Sequence, residues 1–176
     1  MNNMESDYLS LLISEKQAVE IAKERYNIVG EAFSLDGEID FNFRIKTDSK
    51  SYLLKVSRPD ADENYIDFQN KLLLHLSYSK DSINTPNIIQ DIDGAVLSRI
   101  ADEKGNQRLV RMLTWMDGRI WSSVNPHLSD LLFSLGEQTG LLTKSLLGFF
   151  HDCADRKFDW DIAQSHWVKN YNHLFV

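Results

Sequence analysis

The 176 residues, 43% hydrophobic and 26% charged, suffice for one ordinary domain with its own core and are too apolar for a disordered chain. A net charge of -7 at pH 7 argues against broad binding to nucleic acid or an anionic membrane, because both need a basic surface to neutralise phosphates; any phosphate site has to be local. The single cysteine, Cys153, excludes an internal disulfide framework and a cysteine-rich zinc site, and with no basic leader and no run near ~20 apolar residues the expectation is a cytoplasmic chain.

Residues 1–13 read as a loosely docked arm. Ser14-Glu15-Lys16-Gln17 is a capping box that opens a helix to about Asn27, with Ala18, Val19, Ala22 and Tyr26 on its buried stripe. A first strand runs through Glu31–Leu35 and turns at Asp36-Gly37. The alternating runs Phe41-Phe43-Ile45 and Tyr52-Leu54-Val56 flank the polar turn Thr47–Lys50 and predict a hairpin. Its second strand would hold the Lys55 ammonium at a fixed point on the sheet, which makes it a phosphate-ligand candidate. Asp60–Tyr78 predicts a helix with Tyr65, Phe68, Leu72 and Leu76 facing a core. Pro86 opens a strand over Asn87–Ile92, Asp93-Gly94 turns it, and Ala95–Ile100 returns antiparallel beside it. Arg108–Met116 is the last strand, stopped by Asp117-Gly118.

From Asn125-Pro126 the period becomes helical, with Leu128, Leu131, Leu132, Leu135, Leu142 and Leu146 in one stripe. Trp160, Ala163, Trp167, Tyr171 and Leu174 keep helical spacing up to an apolar end that reads as cut from a longer chain. The expected fold class is α+β, an antiparallel five- to six-stranded sheet with one long helix inserted after the third strand. The expected organisation is an arm and helix over 1–30, a nucleotide-binding lobe over 31–118 and the start of a helical lobe over 119–176.

The pattern Glu38-x-Asp40-x-Asn42-Phe43-Arg44, the strand Tyr52-Leu53-Leu54-Lys55 and Asp67-Phe68-Gln69-Asn70 on an apolar helix are followed in order by Thr85-Pro86, Val110–Gly118 and Trp160-Asp161. Together they resemble the aminoglycoside-phosphotransferase-like family of small-molecule kinases, most of all its hydroxylysine-kinase-like members. The resemblance covers the chain from about Phe33 onward and rests on the order of the motifs. It implies the amino-terminal lobe of a protein-kinase-like fold that binds ATP (or GTP) with Mg2+, in which Lys55 pairs with the α- and β-phosphates.

The same resemblance implies that the loop Asp36–Asn42 covers the phosphates with main-chain N–H groups, with Asn42 starting the second strand. That loop carries only Gly37 where the family pattern is glycine-rich, and it brings Asp40 near the phosphates. Gln69 stands where a helix carboxylate is expected, so Lys55 is expected to lean on Glu63, on Asp67 or on a carboxylate from the Mg2+ side. Leu113 and Thr114-Trp115-Met116 match the hinge that holds the adenine edge. Read without the resemblance, Asp36-Gly37 is a hairpin turn, Lys55 an outward-facing lysine and Thr114–Met116 an ordinary strand end.

No histidine is followed by Asp two residues on and Asn five further, and no Asp-Phe-Gly occurs. No catalytic residue and no metal ligand is therefore assigned, and the Mg2+ ligands are expected outside this chain. Asp91-x-Asp93-Gly94 lacks the remaining ligands of a calcium loop and reads as a turn. The acidic run Asp152, Asp155, Asp159 and Asp161 reads as a solvated helix entry or as a surface that attracts an amine.

The implied parent reaction moves the γ-phosphoryl group of the nucleotide to a hydroxyl of a small amine or amino-alcohol, with this chain alone inactive. Two other expectations stand beside it. One is a non-catalytic module of a multidomain protein, such as a class III aminotransferase fusion; the other is a homodimer through Trp167, Tyr171 and Phe175.

Overall fold

The computed structural model describes residues 11–79, 83–155 and 161–174. Helix α1 (Glu15–Tyr26) starts on the expected capping box: the Ser14 hydroxyl accepts from Gln17 N–H at 3.2 Å, and Gln17 Oε1 accepts from Ser14 N–H at 2.8 Å. Asn27 closes it in the left-handed region at φ 52°. Strands β1 (Glu31–Leu35), β2 (Phe41–Lys46) and β3 (Ser51–Val56) form the predicted meander, with Phe41 opposite Val56 and Ile45 opposite Tyr52. Helix α2 (Glu63–Ser77) follows, then β4 (Ile88–Ile89), β5 (Ser98–Ala101), β6 (Gln107–Thr114) and helix α3 (Ser129–Ser145). A 3-10 turn spans Trp121–Ser123, and a 3-10 segment spans Ile162–Leu174.

The six strands are all antiparallel, in the order β1-β2-β3-β6, with β4 and β5 lying end to end along the far edge of β6. Alternation divides the sheet into two faces. Phe41, Phe43, Ile45, Tyr52, Leu54, Val56, Val110 and Met112 point to the face that α1 covers with Ala18, Ile21, Ala22 and Tyr26, and these side chains form the core. Each large one that is fully removed from water contributes roughly 1.5–3 kcal/mol. The opposite face carries Asn42, Arg44, Leu53, Lys55, Arg111 and Leu113 and meets α2.

Several expectations are corrected. The arm is docked where it is described: Ile13 is buried and Leu11 C=O accepts from Arg108 Nη2 at 2.9 Å. Asn87–Ile92 and Ala95–Ile100 do not pair with each other; the short strands within them pair separately with β6. The cause is Asp91, whose carboxylate accepts from the N–H groups of Asp93 and Ala95, from the Ser98 hydroxyl at 2.6 Å and from Arg25 at 2.9 Å. This capture draws residues 91–95 out of any ladder and ties them to α1. Burial works against the Asp91 charge, yet these bonds hold its carboxyl below the usual carboxylate range.

On α2 the buried residues are Ile66, Asn70 and Leu76, while Tyr65 and Phe68 stack on each other on its flank. Of the leucine stripe of α3, Leu128, Leu132 and Leu135 are exposed, while Leu131, Leu142 and Leu146 are partly buried. Trp160 lies outside the described residues; Trp167 and Tyr171 meet edge to face and are exposed. No described helix is long and apolar enough to cross a membrane.

Between β5 and β6, Asp102 accepts from Lys104 N–H, Asn106 N–H, Asn106 Nδ2 and Arg108 Nε, the last at 2.8 Å. Arg108 is buried beside Phe41 and also donates to Ser57 C=O. Burial would raise the Asp102 carboxyl; the hydrogen bonds from Asn106 and Arg108 outweigh it and bring the pKa to about 2. A folded-state value below the unfolded one, ~3.9, means this stabilisation is full above about pH 4 and is lost as pH falls toward 2. Asp102→Asn, which strands the Arg108 charge in the core, is expected to cost about 3 kcal/mol at pH 7. It should also flatten the acid limb of the stability profile, and equal urea midpoints for variant and wild type would refute the assignment.

Candidate phosphate-binding cleft

β3 is central in the sheet, so its alternation holds Lys55 on the face opposite the core, where its side chain is 20% exposed. The register sets Asn42 of β2 and Arg111 of β6 directly opposite Lys55 on either side. Lys55 Nζ donates to Asn42 Oδ1 at 2.7 Å and lies 3.1 Å from Asp40 Oδ2. Asn42 Nδ2 in turn donates to Asp40 C=O at 3.1 Å. The loop that ends at Asp40 closes tightly at Gly37, where any Cβ would collide with the Asn42 amide and the Asp40 carbonyl. No main-chain N–H of residues 37–40 donates to another described residue, while Glu38 C=O accepts from Arg58 Nη2 at 3.0 Å.

These groups line a cleft of about 780 Å³ together with Tyr65, Gln69 and the 152–155 segment. The site therefore brings together four of the residues singled out by sequence, Asp40, Asn42, Lys55 and Gln69. It corrects the partner of Lys55, which is Asp40. Glu63 pairs with Arg99, and Asp67 pairs with Lys71 at 2.7 Å and His151 at 3.2 Å. The Lys71 hydrogen bond, with that of His151, keeps the Asp67 carboxyl below the usual range. The physical reason is reach: Asp40 ends the loop that enters β2 beside Lys55, whereas Glu63 and Asp67 have cations of their own.

Gln69 is occupied by Arg111, whose Nη2 donates to Gln69 Oε1 and whose Nη1 donates to Asn70 Oδ1 at 3.0 Å. Burial pushes the Arg111 guanidinium below its ordinary value, with the Asp40 charge pulling the other way, and a guanidinium stays charged regardless. Arg58 went unread in the sequence, and Asn70 and Arg111 enter it only as motif positions without a role. For Arg111 a signal was present, since Val110 and Met112 beside it fix it on the Lys55 face.

Thr114 and Trp115 line a second hollow of about 410 Å³ beyond the other end of β3, where Arg44 of the Lys55 face and Tyr52 of the core face also line it; Met116 is exposed and lines neither. Thr114 is used structurally, its N–H donating to Asn87 C=O at 2.8 Å and its hydroxyl accepting from Asn87 N–H at 2.9 Å. The main-chain groups of Trp115 and Met116 make no hydrogen bond to another described residue outside the strand ladder. Arg44 stacks its guanidinium on the Trp115 ring, 4.6 Å from the centroid. Among the described residues no three His, Cys, Asp or Glu side chains are placed to hold a metal ion.

The helical segment closes the cleft from the far side. His75 Nε2 meets Ser145 C=O at 2.8 Å, Phe149 packs on Phe68 and His75, and His151 packs on Phe68. This seats Asp152, Cys153 and Asp155 on the cleft wall.

Sheet, inserted helix and cleft together define a protein-kinase-like fold, and two solved small-molecule kinases share it. An amicoumacin kinase in complex with AMP-PNP, Ca2+ and Ami superposes with a TM-score of 0.67 at 17% identity, over 97% of this chain and 50% of its own. A microcompartment-associated aminopropanol kinase gives 0.62 at 16%, over 84% of this chain and 45% of its own. The chain thus spans about half the length of the solved structures it matches. No protein of curated function matches it by sequence. The profile of the phosphotransferase enzyme family matches residues 32–173, most of the chain, and the chain belongs to that family.

Phe149 anchors the cleft wall through ring contacts worth about 1 kcal/mol beyond its area. Phe149→Ala is expected to open this segment more often and to speed alkylation of Cys153 by iodoacetamide about fivefold. An unchanged rate would show that the wall is held without Phe149.

Proposed function

We propose that this chain is the nucleotide-binding part of a phosphotransferase that moves the γ-phosphoryl group of ATP, or of GTP, to a hydroxyl of a small amine or amino-alcohol. The observation that carries the reading is Lys55, pinned by a central strand at the floor of a cleft, with a counter-ion that belongs to the covering loop. Such a lysine is a point charge for phosphate oxygens, and the unused N–H groups of residues 37–40 add donors to it. The base would lie toward Trp115 and Met116, whose main-chain groups are available for its polar edge, with Leu53 and Leu113 on the face between. The lobe would be residues 31–118, with the helix of 1–30 on its back and 119–176 beginning the helical region.

The acceptor class draws support from the amicoumacin and aminopropanol kinases that share the fold, and from the carboxylates of Asp152 and Asp155 along the wall, which suit a cationic amine. Magnesium, when bound, would neutralise charge on the phosphates. The described residues do not form a set for it. The chain alone is expected to bind nucleotide and to transfer nothing.

Calorimetric titration with Mg-ATP should show weak binding that falls about tenfold further in Lys55→Ala, the loss expected for one charge-assisted contact. Equal affinity in the two proteins would move the nucleotide away from Lys55. Turnover of a hydroxylated acceptor by the chain alone, lost in the variant, would refute the inactive half of the reading.

A further inference from the structure

Arg111 is a buried cation whose hydrogen-bond partners are neutral. Its side chain is 5% exposed, and its two terminal nitrogens bond the neutral amides of Gln69 and Asn70. The nearest carboxylate, Asp40, lies 4.0 Å away and is already 3.1 Å from Lys55. Lys55, which lines the cleft, and Arg111, beside it on β6, therefore share the Asp40 carboxylate, while Glu38, Asp60, Asp62, Asp152 and Asp155 line the cleft without contacting either cation. Buried charges are ordinarily paired, because taking one out of water costs several kcal/mol. Bridging two amide oxygens does not need a charge, since a neutral amide N–H also donates to them, though less strongly.

We propose that Arg111 is a positioning residue of the phosphate site, which fixes α2 through Gln69 and Asn70 and supplies the second positive charge that holds a polyphosphate at Lys55. The ligand rests on the nucleotide reading above; the sharing of Asp40 by two cations rests on geometry alone. In this chain the link from helix to sheet runs through Arg111 and two amides. Lys55 is left with a counter-ion on the loop, and an arriving anion competes with Asp40 for it.

Cys153, the chain's one cysteine, lines the same cleft and reports its potential without any nucleotide. The measurement is the rate of Cys153 alkylation by anionic iodoacetate relative to neutral iodoacetamide at low ionic strength, alongside titration with AMP and ADP. Two opposite variants are compared, each checked for folding by circular dichroism: Arg111→Gln keeps amide hydrogen bonding and removes the charge, while Arg111→Lys keeps the charge and loses the fork.

Arg111→Gln is expected to lower the iodoacetate-to-iodoacetamide ratio about threefold and to weaken ADP about tenfold against about twofold for AMP. Arg111→Lys should keep the ratio close to wild type. Asp40→Asn, which removes the shared anion instead, should raise it. An unchanged ratio in Arg111→Gln, or a fall as large in Arg111→Lys, would overturn the proposal in favour of a packing role. Wild-type protein that binds neither nucleotide would overturn the nucleotide reading, and the ratio would then decide by itself whether Arg111 makes this cleft an anion site.

Discussion

The antiparallel register of β2, β3 and β6 is the constraint on which the cleft depends. It places Asn42, Lys55 and Arg111 directly opposite one another, so three polar side chains from residues 42 to 111 form a single row on one face of the sheet. A one-residue slip of β3 would turn Lys55 into the core and Leu54 into the cleft. The apolar face therefore enforces the polar one: burial of Phe43, Leu54 and Met112 against α1 is what fixes the lysine's position. The stability of the α1 side and the chemistry of the α2 side are one property of the same strands.

That row also explains the unusual division of labour around Lys55. Helix α2 offers amides at positions 69 and 70, and a neutral amide oxygen is a good acceptor for a guanidinium but a weak counter-ion for an ammonium. Arg111, buried deeper, takes both oxygens. Lys55 turns to Asp40, which the tight passage at Gly37 and the Asn42 bridge bring within 3.1 Å. The carboxylate that balances the lysine is thus carried by an exposed loop, while Arg111, 4.0 Å from the same carboxylate, anchors the helix through two amide oxygens. A loop held to the sheet by an ion pair can exchange that pair for a ligand's anion without disturbing α2.

Much of this was legible in the sequence for a physical reason: local patterns report local structure. The capping box at Ser14, the alternation in β2 and β3, and the fixed placement of Lys55 all depend on neighbours within a few residues. Asp40 and Asn42, singled out as loop residues, do meet Lys55, because β2 and β3 are consecutive and their pairing is set by one turn. What escaped needed long-range packing. Gln69 could not be assigned to Arg111 without knowing that β6 lies beside β3, 42 residues away from the helix amide. The β4–β5 hairpin failed because Asp91 spends its carboxylate on backbone N–H groups and Arg25, an outcome that a strand pattern does not encode.

The helical part of the chain poses a different balance. Its leucines at 128, 132 and 135 have the spacing of a buried stripe yet stay exposed, and what holds this region to the lobe is the short stretch from Ser145 to Cys153 on α2. Those contacts are a few rings and hydrogen bonds, far less apolar area than the sheet buries against α1. The cleft accordingly has one rigid wall, built on strands, and one wall whose position depends on Phe149 and His151. Asp152 and Asp155 ride on the second wall. Any movement of it changes the distance between these carboxylates and the Lys55 row without altering the row itself, so the site's geometry toward an anion is set by the sheet and its geometry toward a cation by the helical segment.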